Sequence, residues 1–346
     1  MGERSGLGQV EVAILESLDN LGARPDRGHF GCAKVLAAVE KRIGLAPGYA
    51  YQVLIDLALP WKVPVPLVDG RGNFGSRGSD PAANPRYTEA RLSPAGQVAL
   101  AAERGAIAPV PVGLINGNSY QQGTRPPLRP AGVLDAVRQV IARPRVTSSE
   151  ITAIIGAPDF LTGCTVSGDL AGLAAGRPAV LRLQARVSIS DDAHVSAEAP
   201  SILEDITDRF LKPELGRALV VIDNFPPYVD IDETCQSIAN RTHEHRWAAD
   251  PPGLRRRTRL PLADLRDLSA EGRYWFVCVP ERGTSPELLR DQLADVYGVY
   301  DQIPVALPRP LATMVRKWVR ASQDEDLRAS LTALEKAIAS ARPYAE

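Results

Sequence analysis

The stretch Leu67-Val-Asp-Gly-Arg-Gly-Asn-Phe-Gly-Ser76, continued by Ser79-Asp-Pro-Ala-Ala83 and Arg86-Tyr-Thr-Glu-Ala-Arg-Leu92, decides how the rest of the chain is read. Its approach, Val63-Pro-Val-Pro-Leu-Val68, is extended, because repeated prolines exclude a helix. The glycines between residues 70 and 78 require a loop. Beyond Leu92, Ser93-Pro94 supplies a side-chain cap and a first-turn proline, so a helix begins there. An Arg-Tyr-Thr-Glu on its own is common at protein surfaces; the ordered run of some twenty residues around it is not.

On the N-terminal side, Val10, Ile14, Leu18 and Leu21 share one helical face closed by Gly22. A second helix is expected over residues 30–43, where Val35, Val39 and Ile43 recur every four residues. A third is expected over 48–59, entered through Pro47-Gly48 and ended by Pro60. Three short helices with tight connections predict a helix-turn-helix or winged-helix domain. On the C-terminal side, proline-rich stretches at 108–111 and 125–130 flank an Asn-Gly turn or strand, followed by a helix over about 131–142. Short strands and helices then alternate. Ala218-Leu-Val-Val-Ile222 and Tyr274-Trp-Phe-Val-Cys-Val279 are the clearest apolar strands. Helices return at 285–297, 311–321 and 325–341, the last carrying Leu327, Leu331, Leu334 and Ile338. Over so short a run, that stripe suits a packed core as well as a partner helix.

Composition narrows the field. Of 346 residues, 45% are hydrophobic and 23% charged, ordinary for a globular protein of two or three domains. No run is long and apolar enough to span a membrane, and Met1-Gly-Glu-Arg-Ser-Gly-Leu-Gly8 lacks a secretory pattern, so a cytoplasmic location is expected. Cysteines 32, 164, 235 and 278 form no Cys-x-x-Cys pair and read as buried free thiols. His243 and His245 read as a solvated turn, not a metal site. A net charge of −1 gives no global pull on nucleic acid, and the excess of 34 Arg over 6 Lys reads as codon bias.

The run from Leu67 to Leu92 resembles the A subunits of gyrase and topoisomerase IV, the type IIA topoisomerases. There the Gly-Asn-Phe-Gly-Ser loop and the Arg-Tyr-Thr-Glu motif build the DNA-cleavage site. Asn116-Gly-Asn-Ser119 resembles the family's Asn-Gly-Ser-Ser turn. Pro158-Asp-Phe-Leu-Thr-Gly163 resembles its Pro-Asp-Phe-Pro-Thr-Gly turn. Fainter likeness extends to Leu21-Gly-Ala-Arg-Pro-Asp26 and Phe276-Val-Cys-Val279. The resemblance implies an α+β chain: a winged-helix DNA-gate domain over 1–107, a mixed α/β tower-like domain over 108–284, and the start of a helical coiled coil over 285–346. It implies that Tyr87 attacks a DNA phosphate, assisted by Arg86. Arg71, Asn73, Ser76, Arg77, Arg91, Leu128 and Arg129 are the expected DNA contacts, Leu128 standing near the place of the family's DNA-bending isoleucine in Asn-Ile-Pro-Pro. Phenol is a weak nucleophile at neutral pH, so a cation beside it must favour the phenolate and the charged transition state. The implied partners are double-stranded DNA, a second copy of the chain and a gyrase B-type subunit. No cofactor is expected in this chain; Mg²⁺ and ATP are expected only through the partner subunit.

The likeness breaks at particular places. The family's His-Pro-His-Gly segment corresponds to Ile43-Gly-Leu-Ala-Pro-Gly48, without histidine. The helix after it has neither Lys nor Arg and carries Asp56. A Lys-Pro-Val-His-Arg-Arg helix is replaced by Gly8-Gln-Val-Glu-Val-Ala13, and residues 1–62 hold seven basic and seven acidic side chains. Affinity for duplex DNA comes largely from phosphate neutralisation, so these losses predict weak binding. The 346 residues leave room for only the beginning of a coiled coil, so no exit gate is expected within them. Two functions follow: an enzyme subunit breaking and rejoining DNA through Tyr87, or a catalytically silent paralogue acting as a DNA- or protein-binding regulatory module.

Overall fold

The computed structural model describes residues 4–76, 80–117, 125–191, 218–227, 229–240, 260–269, 274–295, 300–320 and 323–340. Within them the chain is mixed α+β, with twelve helices and three antiparallel sheets. The N-terminal elements run α1 (Gln9–Asn20), β1 (Phe30–Gly31), α2 (Cys32–Ile43), α3 (Pro47–Ala58), β2 (Val68–Arg71), β3 (Glu89–Leu92) and α4 (Pro94–Glu103). The helical stripe of α1 turns inward as its spacing requires: Ile14 and Leu18 are buried, with Val10 and Leu21 at the edge. Gly44 ends α2 in the left-handed conformation at φ 67°, and Pro47 opens α3. Strand β3 lies between β1 and β2, pairing Phe30 with Ala90 and Val68 with Leu92.

Ser93 sets α4 as its sequence position predicts, accepting from the Gly96 amide while its hydroxyl donates to Pro66 O. Gly96 itself is demanded by packing, since a Cβ there would lie 2.0 Å from Leu67 O. Helix and extended strand thus approach more closely than any side chain allows.

Next come α5 (Val112–Asn116), α6 (Pro130–Ala142), α7 (Ser148–Ile155), β4 (Thr165–Gly168), α8 (Leu170–Ala174), β5 (Ala179–Gln184) and β6 (Arg186–Asp191). The chain continues with β7 (Ala218–Asp223), α9 (Ile231–Ala239), β8 (Leu262–Asp267), β9 (Phe276–Pro280), α10 (Pro286–Asp295), β10 (Tyr300–Val305), α11 (Leu311–Arg320) and α12 (Asp324–Ser340). One sheet has the order β10-β5-β4, the other β6-β7-β9-β8. In β7, Leu219 and Val221 face one apolar cluster while Val220 and Ile222 face another. Burial on both faces is why this strand reads as a continuous apolar run rather than an alternating one.

The cores do not follow the punctuation of the sequence. One hydrophobic cluster gathers residues from Leu7 to Leu183 and again from Val305 to Ala337; a second holds residues between Ala185 and Leu293. Leu327, Leu331 and Leu334 of α12 are fully buried in the first cluster, where α12 packs chiefly on α4. Burying each leucine is worth about 1.5–3 kcal/mol. Of the two readings open for this stripe, the core holds. Residues on both sides of 107 and of 284 share these clusters.

Candidate functional site

The polar segment between β2 and β3 is a small lattice of backbone bonds. Asn84 and Pro85 are suited to the first two positions of a turn, and Tyr87 N donates to Asn84 O at 2.8 Å. Asn84 Oδ1 also accepts from the amide and the Nε of Arg86, at 3.2 and 3.3 Å. On the far side, Cys32 N donates to Thr88 O and Ala33 N to Pro85 O, tying the turn to the start of α2. Gly72, at φ 104°, lets the end of β2 run beneath it; a Cβ there would sit 3.0 Å from Tyr87 O.

The result is a hydrogen-bonded pedestal with one large side chain standing off it. Thr88 is 1% exposed and Tyr87 is 71% exposed. The Arg86 guanidinium carbon lies 5.6 Å from the Tyr87 ring centroid, within cation–π range. Arg86 Nε bonds Asn84 Oδ1, and among the described residues no carboxylate is paired with Arg86.

The other predicted contacts divide. Arg71, Asn73, Ser76 and Arg129 are exposed. Arg71 faces Glu89 at 3.7 Å, and Arg91 is engaged with Asp69 at 2.8 Å and Arg27 O at 2.8 Å. Both charges are thereby partly neutralised by neighbours on the same sheet. Asn73 Oδ1 accepts from Gly75 N, and the Ser76 hydroxyl donates to Asp80 at 3.3 Å, so these side chains also shape their own loop. Arg77 lies outside the described residues, as do Asn118, Ser119 and His243–His245. Among the described residues no group of three or more His, Cys, Asp or Glu is placed to hold a metal ion. No described helix is long and apolar enough to cross a membrane.

Sequence comparison draws these observations together. The family model for the A subunit of DNA gyrase and topoisomerase IV matches residues 14–108, the segment that builds the pedestal. The DNA gyrase A subunit of Chlamydia muridarum is 26% identical over 369 residues, covering 96% of this chain and 40% of that protein. Its counterpart of the same name from Streptococcus pneumoniae is 33% identical over 297 residues, covering 77% and 34%. That of Mycobacterium bovis is 44% identical over 95 residues, covering 26% and 11%. The chain is a divergent relative of the type IIA topoisomerase A subunits. In each of these pairings it spans less than half the length of the gyrase protein it matches.

One expectation drawn from that kinship is corrected by the fold. Leu128 is 2% exposed: its amide donates to Ile115 O, its backbone bridges Pro158, and its side chain lines an apolar cavity with Pro126, Pro158 and Leu311. A side chain so packed cannot insert between bases, so Leu128 is a core residue and not a DNA wedge. Arg125, just before Pro126-Pro127, is likewise only 7% exposed. Burial lowers its pKa, opposed by the nearby Glu11 carboxylate. Asp56, the acidic residue of α3, does not stand on the exposed face of that helix. It is buried, accepts from Gln52 Nε2 at 3.2 Å and lies 3.9 Å from Lys62. The exposed positions of α3, Pro47, Gly48, Tyr49 and Gln52, are uncharged instead.

One contributor escaped the sequence. Tyr51, on α3, donates its hydroxyl to Ala83 O at 2.7 Å and meets Thr88 Oγ1 at 2.8 Å. Burial pushes its phenol up in pKa, with the Thr88 bond acting against the rise. A tyrosine in an apolar helix reads as core, and no spacing announces a partner thirty-seven residues away.

Proposed function

We propose that this chain breaks and rejoins duplex DNA through Tyr87, as an A-subunit-like partner of a gyrase B-type subunit. The observation carrying this reading is the exposed Tyr87 phenol beside an Arg86 guanidinium that no described carboxylate neutralises. In the reaction the Tyr87 oxygen bonds to a backbone phosphorus as the bond to the 3′-oxygen of the neighbouring nucleotide breaks. The phenolic proton is given up and the 3′-oxygen gains one, leaving a 5′-phosphotyrosyl ester that the same 3′-hydroxyl can reverse. Arg86 offsets charge on the phenolate and on the transition-state phosphoryl oxygens. Mg²⁺ and ATP would enter with the B-type subunit, supplying leaving-group stabilisation and the energy for strand passage. The order α1-β1-α2-α3-β2-β3, with β3 between β1 and β2, supports a winged-helix reading of the module that presents Tyr87. We read the working form as a dimer, so that two Tyr87 residues address the two strands.

A trapping experiment decides the matter. The purified chain, a gyrase B-type subunit, duplex DNA and Mg²⁺ are mixed and quenched with detergent; a covalent protein–DNA adduct is expected, absent in Tyr87→Phe. No adduct under conditions that trap an authentic gyrase overturns the proposal. A catalytically silent binding module is the second reading, favoured by the uncharged exposed face of α3. It predicts DNA or protein binding that is indifferent to Tyr87→Phe.

A further inference from the structure

The turn that carries Tyr87 is held at both ends by one side chain. Ala83 precedes the turn and Thr88 follows it, and the Tyr51 hydroxyl touches both, at 2.7 and 2.8 Å. Its hydrogen-bond directions can be assigned. A carbonyl only accepts, so the Tyr51 O–H must donate to Ala83 O, and Thr88 must then donate its hydroxyl hydrogen to Tyr51. The Thr88 oxygen is left facing the Cys32 thiol at the start of α2. Thr88 is almost completely buried, so its hydroxyl has little water to replace a lost bond, while Tyr51 is partly buried. Ala83 N in turn donates to Asn73 O, so the same phenol indirectly fixes the glycine-rich loop.

Tyr51 belongs to α3, one residue from the exposed Gln52 and two from the exposed Tyr49. Resting on the reading of Tyr87 as the attacking group, we propose that Tyr51 is a positioning residue that couples α3 to the Tyr87 turn, so that whatever engages the exposed face of α3 also sets where the Tyr87 oxygen stands. Gly72 and Asn84 fix the turn's shape; Tyr51 fixes its place relative to the helix. Tyr51 touches no substrate in this arrangement and acts through Ala83 and Thr88.

The test uses the full chain and three variants. Tyr51→Phe removes one oxygen and keeps the ring that packs on the core; Thr88→Val removes the hydroxyl at constant shape; Thr88→Ser retains it. Amide hydrogen exchange is read at Tyr87, Cys32 and Ala33, whose N–H groups close on Asn84, Thr88 and Pro85. Single-turnover adduct formation with a B-type partner is read beside DNA affinity. Tyr51→Phe and Thr88→Val are expected to speed exchange at these amides about ten-fold, the scale set by losing one or two hydrogen bonds. They should slow adduct formation by a similar factor at unchanged DNA affinity, while Thr88→Ser stays near the parent. Parent-like exchange in Tyr51→Phe overturns the proposal, and so does adduct formation that falls only in step with DNA affinity or does not fall. If the parent chain forms no adduct, the cleavage reading fails by itself, and exchange alone still decides whether Tyr51 holds the turn.

Discussion

Two corners of this molecule carry residues expected to meet DNA, and they are built in opposite ways. At the Tyr87 corner the backbone is buried in hydrogen bonds and the chemically active side chain points out. At the Pro126–Pro158 corner the apolar side chain expected to reach DNA, Leu128, points in and is packed away, while Arg129 beside it stays exposed. Where a reactive group must be presented, polar backbone lattices hold the chain and leave its chemistry exposed. Where apolar packing holds the chain, the side chains are consumed by stability. A residue cannot easily serve both purposes, which is why a plausible aliphatic wedge in sequence became a core residue in the fold.

Substitutions can break this contrast. The largest effect is expected for Tyr87→Phe: adduct formation falls on the order of a thousand-fold or more, since the nucleophile is gone. Its stability, followed by denaturant unfolding, should stay within about 0.5 kcal/mol. Arg86→Ala should lower the adduct rate about a hundred-fold with equally little effect on unfolding. A large stability loss from either change would show that this corner is structural after all. Leu128→Ala should reverse the pattern, costing about 3 kcal/mol of stability through the cavity it leaves while DNA affinity measured by fluorescence anisotropy stays put. Weaker DNA binding at unchanged stability would restore Leu128 to the DNA surface.

The smallest effect sharpens the contrast for charges. Asp19, on α1, is bonded to Arg24 Nε at 2.6 Å and to Arg104 just beyond α4. Burial pushes its carboxyl up, but hydrogen bonds from Arg104 and Arg24 outweigh it, and the folded-state pKa is held below the ordinary aspartate value. A depressed pKa gives stability that is present above the unfolded value and lost as pH falls through the folded one. Asp19→Asn should therefore cost about 1 kcal/mol at neutral pH. It should also flatten the acid side of the stability–pH curve below the usual aspartate range. An unchanged curve would mean that the pairing of Asp19 with these arginines adds nothing to the stability of the fold.

Much of this was legible beforehand for a physical reason. The helices at 9–20, 32–43 and 47–58 follow from apolar spacing, Gly44 and Pro47, signals that act within a few residues. The Tyr87 loop was legible because its glycines demand a loop and its ordered motifs resemble those of the gyrase and topoisomerase IV A subunits. Tyr51, the burial of Asp56, and the placement of Leu128 were not legible. Each depends on how the rest of the chain packs around it, and nothing local separates a tyrosine that packs from one that also bonds. The packing of α12 on α4 belongs to the same class: a leucine stripe says that a surface will be covered, never by what.

That last contact sets a practical boundary. A fragment trimmed to residues 14–108, the part most recognisable by kinship, would lose the α12 leucines that cover α4 and the Ser5–Leu7 segment buried behind it. It would bare an apolar flank on α4 and should clump in solution. Anyone carving out a smaller working piece would do better to keep residues 311–340 attached or to supply them as a separate helical peptide.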